Sequence, residues 1–264
     1  MGMDASERQH KILAVARASG RVTVDDLSVR FQVTPQTIRK DLNDLCEQGL
    51  LARTHGGAVV TSSVENVAYT ARRLIADAEK RAIGRAAAAL IPDNSSLFIN
   101  IGTTTEEVAK ALIDRRDLLI ITNNLHVAMQ LYPNPAIKVI VAGGQVRHSD
   151  GAVIGASAID LIQQFKVDLA VIGASAIDED GTLLDFDYQE VRVSQAIIAN
   201  ARRVVLVSDH LKVGRSAPVR IAHIDQLDVF VTDKMVSSDL MRACKAAGVE
   251  VIETGMEVRP DAED

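Results

Sequence analysis

A chain of 264 residues, 47% hydrophobic and 24% charged, has globular composition and room for one large domain, or one large and one small; a disordered chain is excluded. Aromatics are 3% and Trp is absent, so the core must be aliphatic, and two isolated cysteines, Cys46 and Cys244, offer neither a disulfide framework nor zinc-ligand spacing. Net charge is −6, but residues 1–60 hold eight Lys/Arg against seven Asp/Glu, so the acidic excess belongs to the rest of the chain. No signal-peptide pattern and no membrane-length apolar run occurs, so a cytoplasmic protein without metal, cofactor or membrane partner is expected.

In chain order, Ile12, Leu13, Val15 and Ala16 give a helical stripe that ends at Gly20. Thr23 caps a short helix whose first turn carries Asp25 and Asp26, suited to the positive end of the helix dipole. Gln32-Val33 makes a turn. Thr34 as N-cap and Pro35 at the first helical position open another helix, which runs to about residue 48. Residues 50–54 and 58–60 flank His55-Gly56-Gly57 and read as a hairpin. Residues 5–60 thus form one domain. Residues 61–77 lose periodicity and read as a linker, and residues 78–255 form the second domain, opening with an Ala-rich helix over 78–91.

Beyond Pro92, short apolar runs at 97–101, 118–122, 138–142, 168–173, 204–208, 229–232 and 249–252 alternate with helix-length segments such as 104–114, 156–165, 188–202 and 237–247. This is the pattern of an α/β fold with an open parallel sheet covered by helices.

In the helix from Pro35, Ile38, Leu42 and Leu45 recur at spacings of four and three and form its buried face. Gln36, Lys40 and Asn43 then point away from that face, with Thr37 and Arg39 on its flanks. Amide and cationic groups so placed can reach base edges and phosphates. The order helix, turn, helix matches a helix-turn-helix, with the hairpin as a wing. A small helical interaction module with a solvated polar face fits the same pattern. The near-neutral charge is unusual for a DNA reader, and local placement of Arg39, Lys40 and Arg53 must compensate.

The stretch from Val22 to Val59 resembles the N-terminal winged helix-turn-helix of the DeoR family of bacterial repressors. The run Thr34-Pro35-Gln36-Thr37-Ile38-Arg39, the pair Asp41-Leu42 and the segment Arg53-Thr54-His55-Gly56-Gly57-Ala58 carry the likeness. The resemblance implies binding of operator DNA, with Thr34, Pro35, Gln36, Thr37, Arg39, Lys40 and Asn43 as helix contacts and Arg53 and His55 as wing contacts. It also implies a homo-oligomer, dimer or tetramer.

In the second domain, the strand ending at Asn100-Ile101 runs into Gly102-Thr103-Thr104-Thr105 and then a helix. A small, hydroxyl-rich loop at a helix N-terminus is suited to an anion. A capping box, Thr104-x-x-Glu107, would satisfy the same amides with protein alone, and both readings stand. Thr122-Asn123-Asn124, Gly143-Gly144, Gly173 and Ser208-Asp209 end other strands, and in a parallel sheet these ends share one edge. Arg147, Lys212 and Arg215 offer positive charge there.

This domain resembles the DeoR-family sensor domain, whose fold is similar to that of ribose-5-phosphate isomerase. Ile101-Gly102-Thr103-Thr104 matches the family's phosphate-binding position, and Asp209-x-x-Lys212 matches a motif shared with the isomerase. The isomerase's D-G-A-D motif is replaced by Gly173-Ala174-Ser175-Ala176, which lacks the acids for proton transfer between carbons, so an enzyme is not expected. Segments 99–104, 121–125 and 184–192, with Asp209-His210, resemble most the family members that respond to glycerol 3-phosphate, except at Asn100, where those carry an acid. The implied effector contacts are Asn100, Gly102, Thr103, Thr104, Thr105, Thr122 and Asn123, together with Gly143, Gly144, Arg147, Gly173, Asp185, Glu190, Asp209 and Lys212. The alternatives are a repressor of the same family sensing another sugar phosphate and a sugar-phosphate isomerase.

Overall fold

The computed structural model describes residues 5–19, 21–47, 50–54, 56–60 and 69–255. The chain divides between Ile75 and Ala76 into two units. The first contains α1 (Ala5–Ser19), β1 (Arg21–Thr23), α2 (Val24–Phe31), α3 (Pro35–Glu47), β2 (Leu51–Thr54), β3 (Gly57–Val60) and α4 (Tyr69–Leu74).

The local signals act as expected in the first unit. The Thr23 hydroxyl accepts the Asp26 N–H at 3.1 Å and starts α2. Gln32, in the left-handed region at φ 53°, ends it by returning its own N–H to Ser28 and Val29 carbonyls. The Thr34 hydroxyl accepts the Thr37 N–H at 3.2 Å and starts α3. Ile12, Leu27, Ile38, Leu42, Leu45 and Leu51 are each at most 2% exposed and form one core. The wing is larger than a hairpin, because β1 pairs with β3 and gives the order β1-β3-β2. A three-residue strand has no period to read. The segment read as a linker contains α4, and residues 61–68 lie outside the described residues.

The second unit runs α5 (Asp77–Ala89), β4 (Ser96–Ile99), α6 (Thr103–Ala111), β5 (Leu118–Thr122), α7 (Leu125–Leu131), β6 (Ile137–Val141), β7 (Gln145–Val146), β8 (Val153–Ile154), α8 (Ala156–Ile162), β9 (Val167–Ile172), β10 (Ala176–Ile177), β11 (Thr182–Asp185), α9 (Tyr188–Ala199), β12 (Ala201–Val207), β13 (Val219–His223), β14 (Val229–Thr232), α10 (Ser238–Ala247) and β15 (Glu250–Glu253). Seven strands form a parallel sheet in the order β15-β14-β12-β9-β4-β5-β6. All seven coincide with the apolar runs, two without displacement and five with ends displaced by one to three residues. Two apolar clusters cover its faces, one around Phe98, Ile172, Leu206 and Phe230 and one around Ile99, Val108, Ile120 and Val205.

Strand order reverses between β4 and β9: the chain moves outward through β5 and β6, then returns to build β9, β12, β14 and β15. Ligands of open α/β sheets bind beyond the carboxyl ends of strands at such a switch. No pattern in the sequence announces the second, antiparallel sheet, β10-β11-β13, or the β7-β8 pair. Their strands have two to five residues, and β11 is buried at every position, so no alternation marks it. Among the described residues no helix is long and apolar enough to cross a membrane.

Candidate functional site

The face that α3 offers to solvent is the one its sequence assigns. Thr34, Pro35, Gln36, Arg39, Lys40 and Asn43 are exposed and Thr37 is half-buried, while Ile38, Leu42 and Leu45 are buried. One flank of α3 is tied to α1. Arg8 donates from Nε to Asp41 Oδ2 at 2.6 Å and from a terminal nitrogen to Oδ1 at 3.1 Å, a buried bidentate pair. Gln9 adds a hydrogen bond to Asp44 at 3.1 Å. The Asp41 of the family motif is therefore a clamp that fixes α3 on α1, not a DNA contact. Arg53 lies in β2 opposite Ala58, and His55 lies outside the described residues.

At the switch point, Gly102 is the N-cap of α6 at φ 146°, a conformation that favours glycine, and no side chain caps the helix start. The capping box does not form. Helix α6 already begins at Thr103, which puts Thr104 inside the first turn, and Glu107 pairs instead with Lys110. The first amides of α6 thus lack a side-chain cap, and Thr103, Thr104 and Thr105 beside them are all at most 8% exposed. The Thr105 hydroxyl is already engaged, 2.7 Å from the Asn100 carbonyl and 2.8 Å from that of Gly102, and fixes the loop. Asn100 is likewise committed: its amide donates to the Ser194 hydroxyl at 2.8 Å and its oxygen accepts the Ile101 N–H at 2.8 Å.

The neighbouring strand ends close around this loop. A Cβ on Gly173 would sit 3.8 Å from Thr105 Cγ2 and 3.9 Å from the carbonyls of Ile101 and Val207, so β4, β9 and β12 end together there. At the end of β5, the Thr122 hydroxyl donates to the Ile99 carbonyl at 2.6 Å. Asn123 is fully buried and Asp209 is 1% exposed, yet Asn123 Oδ1 and Asp209 Oδ2 have no hydrogen-bond partner. Two orphaned acceptors of this kind cost free energy unless a ligand or water supplies donors. Asp185 is buried and accepts the Phe186 N–H at 2.6 Å. Gly143 and Gly144 are exposed beyond the outermost strand, two strands from the loop.

The expected supply of positive charge by Arg147 is not met. Its guanidinium meets Asp150 at 2.7 Å, Asp187 at 2.8 Å and Glu190, three carboxylates against one cation. Burial works against the charge, but the hydrogen bonds and charges of Asp150 and Glu190 outweigh it and hold Arg147 protonated, above its ordinary value. Arg147 and Glu190 thus organise the start of α9 rather than bringing charge to an anion. Arg215 lies over the Phe186 ring at 5.2 Å, and Lys212 is half-buried in the turn after Asp209.

Two features went unread in the sequence. Lys80 is 3% exposed and belongs to the buried stripe Lys80, Ile83, Gly84, Ala87 and Ala88 of α5. Gly84 packs on the Glu107 backbone so closely that a Cβ would meet it at 2.7 Å. Lys80 and Thr103 each lie one turn before this contact on their own helices. A cation inside an apolar helical stripe was a legible signal. The other is a dyad just beyond the ends of β12 and β14. His210 Nδ1 lies 2.6 Å from Asp233 Oδ2, and the His210 backbone N–H donates to Oδ1 at 2.8 Å. The hydrogen bond to Asp233 raises His210 above its ordinary value, with further help from Asp209 and Glu79.

Comparison with known proteins agrees with both halves of this geometry. Residues 8–64 match the DeoR-like helix-turn-helix domain and residues 75–234 the DeoR C-terminal sensor domain. The chain is 46% identical over 231 residues to the glycerol-3-phosphate regulon repressor of Escherichia coli K12, covering 88% of this chain and 92% of that protein. It is 39% identical to the HTH-type transcriptional repressor CsqR of the same organism, over 95% of this chain and 96% of that one. Among solved structures it is similar to ribose 5-phosphate isomerase A from Methanocaldococcus jannaschii, at 16% identity and a TM-score of 0.40, over 53% of this chain and 56% of that chain. With an exposed reading helix in one unit, a sensor sheet in the other and both domain models matched in order, the chain belongs to the DeoR family of helix-turn-helix transcriptional repressors.

Proposed function

We propose that the protein holds operator DNA through α3 and its wing, and releases it when glycerol 3-phosphate binds the sensor unit. The observation that carries the ligand half is the uncapped start of α6: first-turn amides without a side-chain cap and the buried Thr103 and Thr104 suit a phosphate, to which the buried Lys80 of the adjoining α5 adds charge. Asn123 Oδ1 and Asp209 Oδ2 are acceptors that ligand hydroxyls can satisfy, which fits a polyol phosphate better than inorganic phosphate. The choice of glycerol follows the name of the E. coli relative. In this reading Gln36, Arg39, Lys40 and Asn43 read the groove, and Arg53 and His55 contact the backbone or minor groove.

Release follows from linkage. A ligand that binds better to the arrangement with poor DNA affinity lowers operator affinity by the same coupling, about 1–3 kcal/mol or roughly 5–150-fold. Thermal unfolding with glycerol 3-phosphate, fructose 6-phosphate, deoxyribose 5-phosphate and inorganic phosphate tests the ligand. A specific effector at 100 times its Kd adds about 2.7 kcal/mol. A mobility shift with DNA selected from a random pool then tests release. Stabilisation by inorganic phosphate equal to that by the polyol phosphate contradicts the proposed effector.

A further inference from the structure

Strand β6, at the end of the parallel sheet opposite β15, is built unlike a free edge. The 22 residues from Leu125 to Val146 hold one Asp, Glu, Lys or Arg, Lys138, where the chain average of 24% would place about five. The segment is nevertheless on the surface. Met129 and Tyr132, three residues apart at the end of α7, are 68% and 69% exposed; Val141 on β6 is 40% and Val146 on β7 is 50% exposed. Val139 and Ile140 are only half-buried, although a strand of a parallel sheet normally buries both faces.

The outer side of β6 has no strand partner among the described residues. Ala142 N–H donates to Thr122 on the β5 side, so by alternation the N–H and C=O groups of Val139 and Val141 face outward, where no described strand lies. Protected edges carry charges, prolines or a covering element, and here the strand has one lysine. Depletion of charge with exposed Met and Tyr is the composition of an interface centre.

We propose that the β6 edge, with Met129, Tyr132, Val141 and Val146, is the surface on which a second copy of this chain docks, edge to edge about a two-fold axis. Charge selects the occupant. DNA finds a single cation there, and an acidic or basic protein finds no complement. A two-fold axis sets this charge-poor face against itself, and two strands related by such an axis run antiparallel and can exchange the outward N–H and C=O groups. The family likeness speaks for an oligomer, whereas the surface is assigned from these residues alone, independently of the effector.

Sedimentation of the full chain tests it. The wild type is expected at a multiple of its 28.4 kDa mass, and Met129→Lys/Tyr132→Lys/Val141→Lys at half the wild-type mass with an unchanged circular dichroism spectrum. Val236→Lys, at an exposed apolar residue beside β15 at the opposite end of the sheet, is expected to leave the mass unchanged. A wild type at the single-chain mass, a triple variant at wild-type mass, or an equal effect of Val236→Lys overturns the proposal. Hydrogen exchange on the unsubstituted protein covers the case of a variant that misfolds. Amides of Val139 and Val141 should be slow in the assembled protein and become fast on dilution; fast exchange at every concentration overturns the proposal too.

Discussion

The two units place their polar groups in opposite ways. In the first, the polar side chains of α3 point outward, and burial among the described residues is reserved for aliphatic groups and the Arg8–Asp41 pair. In the second, the sheet's carboxyl edge buries Asn100, Thr103, Thr104, Thr105, Glu106, Thr122, Asn123 and Asp209. An extended polyanion must be met on a surface, with mobile cations able to follow it. A small metabolite can be enclosed, and enclosure requires polar groups held in advance at a desolvation cost.

The largest effect should come from the buried ion pair of the reading unit. Asp41→Ala leaves Arg8 buried without its carboxylate, and loss of one partner of such a pair costs about 3–5 kcal/mol. The first unit should unfold early in a two-step thermal melt, and DNA binding should go with it. A single unshifted transition would show that Arg8 rehydrates freely.

Next comes the coupling between the units. Thr103→Ala/Thr104→Ala is expected to bind operator as the wild type does but to lose the roughly 5–150-fold release by glycerol 3-phosphate. Normal release in a mobility shift would remove the α6 start from the effector site. Lys80→Met, similar in its stem, should reduce release in the same assay.

Arg39→Ala and Lys40→Ala touch only exposed positions and should change folding stability by less than about 0.5 kcal/mol. Each should weaken DNA binding and flatten the log K against log salt plot by about 0.9, the slope due to one phosphate that the variant leaves unneutralised. An unchanged slope would assign that phosphate to another residue of the helix.

The smallest effect is a pH dependence in the sensor unit. The hydrogen bond and charge of Asp233 raise His210 above its ordinary value of 6.5, so this contribution is complete below 6.5 and is lost as pH rises through the raised value. Burial alone would raise Asp233, but the His210 hydrogen bond and charge hold it below 3.8, so its share persists above 3.8 and is lost only as pH falls through the lowered value. The sensor-unit melting temperature should therefore decline as pH rises above 6.5 through the raised value, and lose that decline in His210→Asn.

Much of this architecture was written locally. Thr23 and Thr34 announce their helices because a cap needs only its next three residues. The Ile38, Leu42 and Leu45 stripe defines the buried side of α3, and with it the exposed side. The strand ends converge because parallel strands share a direction. Other features had no local mark. β10, β11 and β13 are too short to show a period, and they form only because the folded chain offers edges to pair. Arg147 looked like a cation for an anion site because its partners are three, forty and forty-three residues away.

The sequence by itself determined which helix faces the solvent, where the main sheet's strands lie and that a hydroxyl-rich turn opens α6, since periodicity and capping act over one or two turns. Only the tertiary structure decided which of those groups are already used. It spent Asn100, Thr105, Asp41 and Arg147 inside the protein, and it left Asn123 Oδ1, Asp209 Oδ2 and the β6 edge open. Hydrogen bonds and ion pairs are satisfied by proximity in space, and proximity between distant residues exists only once the chain has folded.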